Sequence, residues 1–285
     1  MRVATWNMQQ GYNAPPLKRC WTWLADTVAP DIAVLTEARV PAGGPPAGWD
    51  AVWRPEGIGP TRRWGTVITG RGVELTAVDH VTIGRFRRRT VEVTSRYPGA
   101  AVVADVNVDG EWWATVVGLY GLNVDLKGRK CGHGRHTTSA LLRDLSPLFE
   151  SDRRDRIIVA GDFNLHPRDM PPVVDRLGLF DLTEITADTR PPLEHCTGCT
   201  ARRPNECGHL WSHRNNPSPN ASRQQIDFIL ATNDLAHDLD SLTGGIRDFP
   251  GAWNVSDHAP VVAQFNSQGV GLTPQGTEHA ETPPS

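Results

Sequence analysis

The chain has 285 residues, of which 39% are hydrophobic and 21% charged, and its formal net charge is −3. It is long enough for a large core and too apolar to be wholly disordered. No apolar run reaches roughly 18 residues, so no membrane-spanning helix is expected. The charge excludes a bulk polycation, so a phosphate-bearing partner has to be gripped locally.

Short runs rich in Val, Ile and Thr recur between Gly, Pro and Asp, and their length predicts strands. In chain order these are Arg2–Trp6, Asp31–Leu35, Trp64–Thr69, Thr90–Thr94, Ala101–Val106, Trp113–Leu119, Arg156–Ala160, Ile226–Leu230 and Pro260–Phe265. Helical spacing predicts helices over Leu17–Val28, Thr137–Phe149 and Pro171–Leu177. Pro15 and Pro16 suit a first turn, and Pro30 suits a stop. Strands outnumber helices without a steady alternation, which predicts an α+β fold with mixed sheets. One domain is expected over residues 1–266. Residues 267–285, rich in Gly, Pro, Thr, Gln and Glu, are expected to be a disordered C-terminal tail. Met1–Trp6 shows neither a long apolar segment nor a small-residue cleavage site, so a cytoplasmic protein is expected.

Several predicted strands run into acids or amides. The first meets Asn7, the second Thr36-Glu37, and Arg156–Ala160 meets Gly161-Asp162-Phe163-Asn164. Gln225-Ile226-Asp227-Phe228 lies on another strand, and Ser256-Asp257-His258 precedes the last. Such groups are costly to bury unless they bind something. Taken singly, Asp or Asn after a strand is a turn residue. Together they supply the oxygen donors that Mg²⁺ or Mn²⁺ prefers, with a His for proton transfer or oxyanion stabilisation.

In this order, Trp6-Asn7-Met8-Gln9, Leu35-Thr36-Glu37, Gly161-Asp162-Phe163-Asn164, Gln225-Ile226-Asp227-Phe228 and Ser256-Asp257-His258 resemble the signatures of the endonuclease/exonuclease/phosphatase superfamily. The resemblance spans nearly the whole chain. It implies a four-layer α/β/β/α sandwich of two packed sheets with outer helices, and a metal-dependent phosphodiester hydrolase. It implies that Asn7, Glu37 and Asp257 hold the divalent metal, with Glu37 the principal ligand. Asp162 would orient or deprotonate water, and Asn164 would bond a phosphate oxygen. His258 would stabilise the transition state, with Asp227 orienting its imidazole. Tyr120 and Asn123 resemble the Tyr-x-x-Asn element of the nuclease branch, which touches the phosphate. Arg135 starts the helix that follows, where a helix N-terminus and a guanidinium suit a phosphate as well as solvent. Trp211 resembles an aromatic residue of the substrate pocket, although a core position serves a Trp equally well. Gln224 stands where abasic-site enzymes can carry a Trp, which speaks against a specialised abasic pocket.

Cys196, Cys199, Cys207 and His209 form a second constellation, a potential Cys3His site for structural Zn²⁺. The alternatives are residues without a joint role, or a disulfide between two of them. His195 and His213 are spare ligands, Cys131 with His133 could contribute, and Cys20 reads as core.

For substrate, a nuclease acting on DNA is favoured over RNA. The basic clusters Arg62-Arg63, Arg85 with Arg87-Arg88-Arg89, and Arg202-Arg203 are expected to surround the acidic site. The alternatives are a phosphodiesterase or phosphatase for a small-molecule or lipid-headgroup phosphate, and a binding module without catalysis. No protein partner is evident, and a monomer is expected.

Overall fold

The computed structural model describes residues 1–11, 14–59, 62–84, 86–123, 135–191, 196–197, 199–200, 207–216, 218 and 221–266. The expected tail over 267–285 therefore lies outside the described residues, as do Arg85, Cys131, His133, His195, Arg202 and Arg203.

Strand β1 (Arg2–Asn7) is buried on both faces. Val3 points into one apolar cluster, while Ala4 and Trp6 point into another. A strand with two apolar faces requires a layer on each side. The first sheet supplies one layer, in the order β15 (Leu239–Gly244), β16 (Val261–Phe265), β1, β2 (Ile32–Ala38), β4 (Gly65–Arg71), β3 (Trp49–Trp53). The second sheet runs β11 (Leu179–Asp181), β14 (Asp227–Thr232), β10 (Ile157–Asp162), β9 (Glu111–Tyr120), β8 (Ala101–Val108), β5 (Glu74–Ala77). Two short pairs, β6 (His80–Ile83) with β7 (Arg89–Glu92) and β12 (His213–Arg214) with β13 (Arg223–Gln224), complete the strands among the described residues.

Each sheet has one parallel pair at its centre, β1 with β2 and β9 with β10, and is otherwise antiparallel. Val3, Val34, Ile68 and Val261 of the first sheet meet Ala104, Val116, Ile158 and Ile229 of the second in the central core. On the outer face of the first sheet, Ala4, Trp6 and Leu35 pack on Cys20, Trp21 and Leu24. These last three come from α1 (Leu17–Trp23) and the π-helical turn Leu24–Val28 that continues it. On the outer face of the second sheet, Val117, Val159 and Phe228 pack on Leu141, Leu142 and Leu145 near α2 (Arg135–Asp144). The result is the expected four-layer sandwich. Among the described residues no helix is long and apolar enough to cross a membrane.

All nine predicted strands form. The predicted helix over Pro171–Leu177 is only a four-residue turn, α3 (Pro171–Val174), with a 3-10 turn after it. The strands absent from the sequence reading are short or polar. In β15 only Leu242 and Gly244 are buried, so it carries little periodic signal.

The β6–β7 hairpin corrects one expectation. Ile83 bridges Ser151, and Arg88 pairs with Asp152 at 3.7 Å. Both partners precede β10, whereas Asp162 is its last residue. A strand of that length puts the hairpin roughly 20 Å from Asp162. Arg87, Arg88 and Arg89 of this hairpin therefore do not surround the acidic site.

Candidate active site

Chain direction gathers the acids. Parallel strands β1 and β2 end together at Asn7 and Glu37, and β9 and β10 end together at Tyr120 and Asp162. Antiparallel β14 begins where β10 ends, so Asp227 is the register partner of Asp162. Likewise β16 begins beside the end of β1, with Val261 opposite Thr5, which brings Asp257 and His258 to the same edge. Ser256 locks this turn: its hydroxyl donates to the Asn7 carbonyl at 2.8 Å and accepts from the His258 N–H at 3.1 Å. The buried Trp6 indole donates to the His258 carbonyl at 3.1 Å. These residues open into a cleft of about 400 Å³ between the two sheet edges.

Asp162 sits at the bottom, fully buried among donors. Asn7 Nδ2 donates to its Oδ2 at 2.9 Å, and the Asn164 N–H donates to its Oδ1 at 2.9 Å. Asn164 Nδ2 reaches both the Gly121 carbonyl at 2.6 Å and Asp162 Oδ2 at 3.2 Å. Asn123 in turn donates to Asn164 Oδ1 at 2.6 Å. The Gly-Asp-Phe-Asn run has a steric reason for its glycine. Gly161 adopts φ +151, and a Cβ there would stand 1.8 Å from the Leu119 carbonyl oxygen. Burial holds the Asp162 carboxyl above the usual carboxylate range; His258 opposes this and Asp227 adds to it.

His258 is paired behind and exposed to charge in front. Its Nδ1 lies 2.8 Å from Asp227 Oδ2, and its Nε2 lies 3.9 Å from Asp162 Oδ2. Burial pulls its pKa down, but the Asp227 charge and hydrogen bond, with Asp162 and Asp257, carry it up to about 10. The imidazolium is therefore the resting form at neutral pH. Asp227 is wholly buried, and its Oδ1 has no hydrogen-bond partner among the described residues. Its backbone N–H donates to Ser212 Oγ at 3.3 Å.

Glu37 is aimed by backbone irregularity. The β2–β4 register shifts between Leu35 and Ala38, and Glu37 itself has φ +41. A bulge of this kind re-aims a side chain. The Tyr120 hydroxyl donates to Glu37 Oε1 at 2.7 Å. Burial raises the Glu37 pKa against that bond. Gln9 clamps the neighbouring acid twice: its Nε2 donates to Asp257 Oδ2 and its Oε1 accepts the Asp257 N–H, each at 3.2 Å. Gln9 and Asn164 share the left-handed backbone of Glu37, at φ +52 and +50.

This donor set suits a hard divalent cation. Glu37, Asp257, Asn7 and Asp162 line one cleft with oxygen atoms, and burial disfavours the bare carboxylates of Glu37 and Asp162. Asp162, Asp227 and His258 also cluster, with candidate ligand atoms within 4.8 Å of one another. However, the 2.8 Å contact between His258 Nδ1 and Asp227 is a direct hydrogen bond. That bond already engages both atoms, so this trio reads as an acid–base group, and Glu37 with Asp257 and Asn7, whose oxygens line the open cleft, is the better cation seat.

The structure thus brings Asn7, Glu37, Tyr120, Asn123, Asp162, Asn164, Asp257 and His258 to one cleft, with Asp227 behind His258. Trp211 is a correction. It is not among the residues that line the cleft; its ring lies under the Arg223 guanidinium at 4.3 Å, and its carbonyl accepts the Ile246 N–H. Two residues further on, His213 takes the cleft position. Its ring lies 4.4 Å from that of His258, and its Nδ1 accepts from Gln224 Nε2 at 2.7 Å. Burial, then the His258 charge, pushes the His213 pKa down to about 2, so it stays neutral. Its place against His258, with Nδ1 taken by Gln224, keeps it apart from the cysteine cluster, for which it is no spare ligand. The side chain of Arg135 lies outside the described residues. Gln9, His213 and Asn215 are cleft residues that sequence reasoning missed. Gln9 stood inside the quoted Trp-Asn-Met-Gln run, and that was its only signal.

A model of the Endonuclease/Exonuclease/phosphatase family matches residues 4–258. No curated protein sequence matches the chain. Among solved structures, a Neisseria 3' phosphatase bound to product DNA hairpin is 21% identical, with TM-score 0.58, covering 93% of this chain and 99% of that one. The AP endonuclease LMAP from Leishmania major is 13% identical, with TM-score 0.62, covering 93% and 87%. Truncated TDP2 from Caenorhabditis elegans is 15% identical, with TM-score 0.54, covering 93% and 97%. At these identities the likeness is one of fold.

Proposed function

Because the chain belongs to the endonuclease/exonuclease/phosphatase family, and is thereby a hydrolase of phosphodiester bonds, we propose that it is a Mg²⁺- or Mn²⁺-dependent nuclease acting on DNA. The observation that carries this reading is the convergence of two opposed groups on one cleft. The Asp162 carboxylate and the His258 Nε2 lie 3.9 Å apart, and His258 is tied to Asp227 on its other nitrogen. That pair can hold a water by one member and a phosphoryl oxygen by the other.

In this reading Asp162 accepts the proton of the attacking water. Asn7 and Asn164 fix the carboxylate so that the water is aligned with phosphorus. The His258 imidazolium donates from Nε2 to a non-bridging oxygen as negative charge builds there. Asp227 is a positioning residue, which keeps the Nδ1 proton in place and favours the charged form. Asn123, through Asn164, and Tyr120, through Glu37, set the far wall. A divalent cation held by Glu37 with Asp257 and Asn7 would supply charge neutralisation at the phosphate.

DNA is favoured by kind rather than by sequence-specific contact. The amides and imidazoles of the cleft can donate to the phosphate of a sugar–phosphate backbone, and its acids would face that phosphate through a divalent cation. Arg62 lies over Trp64 at 5.8 Å, and Trp64 meets Tyr120 edge-on at 5.6 Å, so one cation and one aromatic ring stand at the mouth. The solved neighbours named as a DNA-bound phosphatase and an AP endonuclease support the same substrate class. The test is nicking of supercoiled plasmid and trimming of 3'-labelled duplex in Mg²⁺. Asp162→Ala and His258→Ala are expected to abolish both activities. Turnover of a small phosphodiester, with no nucleic acid cleaved, would overturn the DNA reading.

A further inference from the structure

Four donor atoms far along the chain meet at one point. Cys196 Sγ, Cys199 Sγ and Cys207 Sγ lie 3.3, 3.4 and 3.5 Å from His209 Nδ1. Cys196 and Cys207 sulfurs are 3.9 Å apart, and all four donors lie within 4.8 Å of one another. A disulfide needs sulfurs about 2.05 Å apart, so none joins this pair. Nor does hydrogen bonding account for the arrangement, since one ring nitrogen carries at most one hydrogen and cannot serve three sulfurs equally. Near-equal spacing around a common centre is what a shared ion produces. With Zn–S near 2.3 Å and Zn–N near 2.1 Å, a tetrahedron has edges of about 3.8 Å between sulfurs and about 3.6 Å from sulfur to nitrogen. The three sulfur–nitrogen spacings and the Cys196–Cys207 spacing match these to within a few tenths of an ångström, and the other two sulfur pairs lie within 4.8 Å.

A second contact points the same way. The other ring nitrogen, His209 Nε2, lies 3.1 Å from the Thr200 hydroxyl. Fixing a ligating His through its second nitrogen is the usual outer contact of a metal site, and it leaves the Nδ1 lone pair facing the sulfurs. Cys196 and Cys207 are buried, so nothing in solvent completes the shell on their side.

We propose that Cys196, Cys199, Cys207 and His209 hold one structural Zn²⁺ ion that pins Thr197 in one wall of the cleft. The link to the cleft is short. Thr197, next to Cys196, lines it, and the Thr197 N–H donates to the Arg223 carbonyl at 2.9 Å. Arg223 adjoins Gln224, which holds His213. The Leu210 N–H, next to His209, donates to Gln225 Oε1 at 2.8 Å, and Gln225 stands two residues before Asp227. All four zinc positions are filled by protein, so the ion shapes the cleft and takes no part in hydrolysis.

The experiment is elemental analysis of the purified full chain, followed by replacement of the metal with Co²⁺. The expected results are about one zinc per chain and intense visible bands of tetrahedral thiolate-bound cobalt. Cys199→Ser and His209→Ala should lose those bands, and Thr200→Ala should weaken zinc affinity by about 10-fold or more while keeping the fold. Chelation of zinc should raise KM more than it lowers kcat at fixed Mg²⁺. That last readout rests on the nuclease reading, whereas metal content and the cobalt spectrum do not. Less than about half an equivalent of zinc in wild-type protein, with no tetrahedral cobalt spectrum, would overturn the proposal whatever the substrate proves to be.

Discussion

Replacing Asp227 by Asn tests the charge logic of the site in a single step. The side chain keeps its shape and a hydrogen-bond acceptor for His258 Nδ1, but loses its negative charge. The two groups are 2.8 Å apart and both are buried. Taking roughly 4 Å between charge centres and an effective dielectric constant near 20, their attraction is about 4 kcal/mol. This accords with a His258 pKa carried from 6.5 up to about 10, to which Asp162 and Asp257 also contribute. Without that attraction the His258 pKa falls back toward its ordinary 6.5; at pH 8 no more than about a tenth of the imidazolium then remains, so Asp227→Asn lowers kcat by about tenfold or more. The sign of the pH effect follows. A raised histidine pKa keeps the charged form through neutral pH and loses it only as pH rises through about 10. The variant therefore loses activity at lower pH than wild type, and its alkaline limb shifts toward neutrality. The assay is a pH–rate profile at saturating Mg²⁺, with thermal melting to confirm folding. A folded variant within about twofold of wild-type kcat at pH 8, with an unmoved alkaline limb, would refute the reasoning.

Other outcomes follow from the same geometry. Glu37→Gln should weaken Mg²⁺ binding by about tenfold or more in calorimetric titration, because a hard cation loses its charged ligand. Arg62→Ala should raise KM for duplex DNA by about tenfold, roughly 1.4 kcal/mol, whereas Arg88→Ala, at the far end of β10, should leave KM within about twofold. Phe228→Ala, in the outer core against Phe163, should cost about 3–5 kcal/mol in urea unfolding. Gly161→Ala should destabilise the chain by at least about 2 kcal/mol, because its Cβ meets the Leu119 carbonyl; a melting temperature unchanged from wild type would contradict the steric account.

The catalytic cleft was readable because its residues sit at strand ends, where a buried period-two run meets a polar residue. Asp162, Asp227 and His258 are recognisable from this contrast only together with the order of the motifs that carry them, since a lone acid after a strand reads as a turn. Gln9 and His213 were not readable in the same way. Gln9 matters because a left-handed backbone turns it onto Asp257, and His213 because a short hairpin stacks it on His258; neither effect leaves a local pattern. Trp211 misled because aromatic residues near a cleft fit either burial or stacking, and only the Arg223 guanidinium over its ring decides. The Arg87-Arg88-Arg89 run misled because charge in sequence carries no direction. The β6–β7 hairpin turned Arg88 toward Asp152.

Gln9, Glu37 and Asn164 each hold a backbone conformation that side chains with a Cβ disfavour, at a cost of about 1 kcal/mol or more apiece. The residues an engineer would first replace to raise the melting temperature are thus the ones that aim the acids. A thermostability selection run without an activity screen would drift toward glycine at these three positions and return robust proteins that no longer cut.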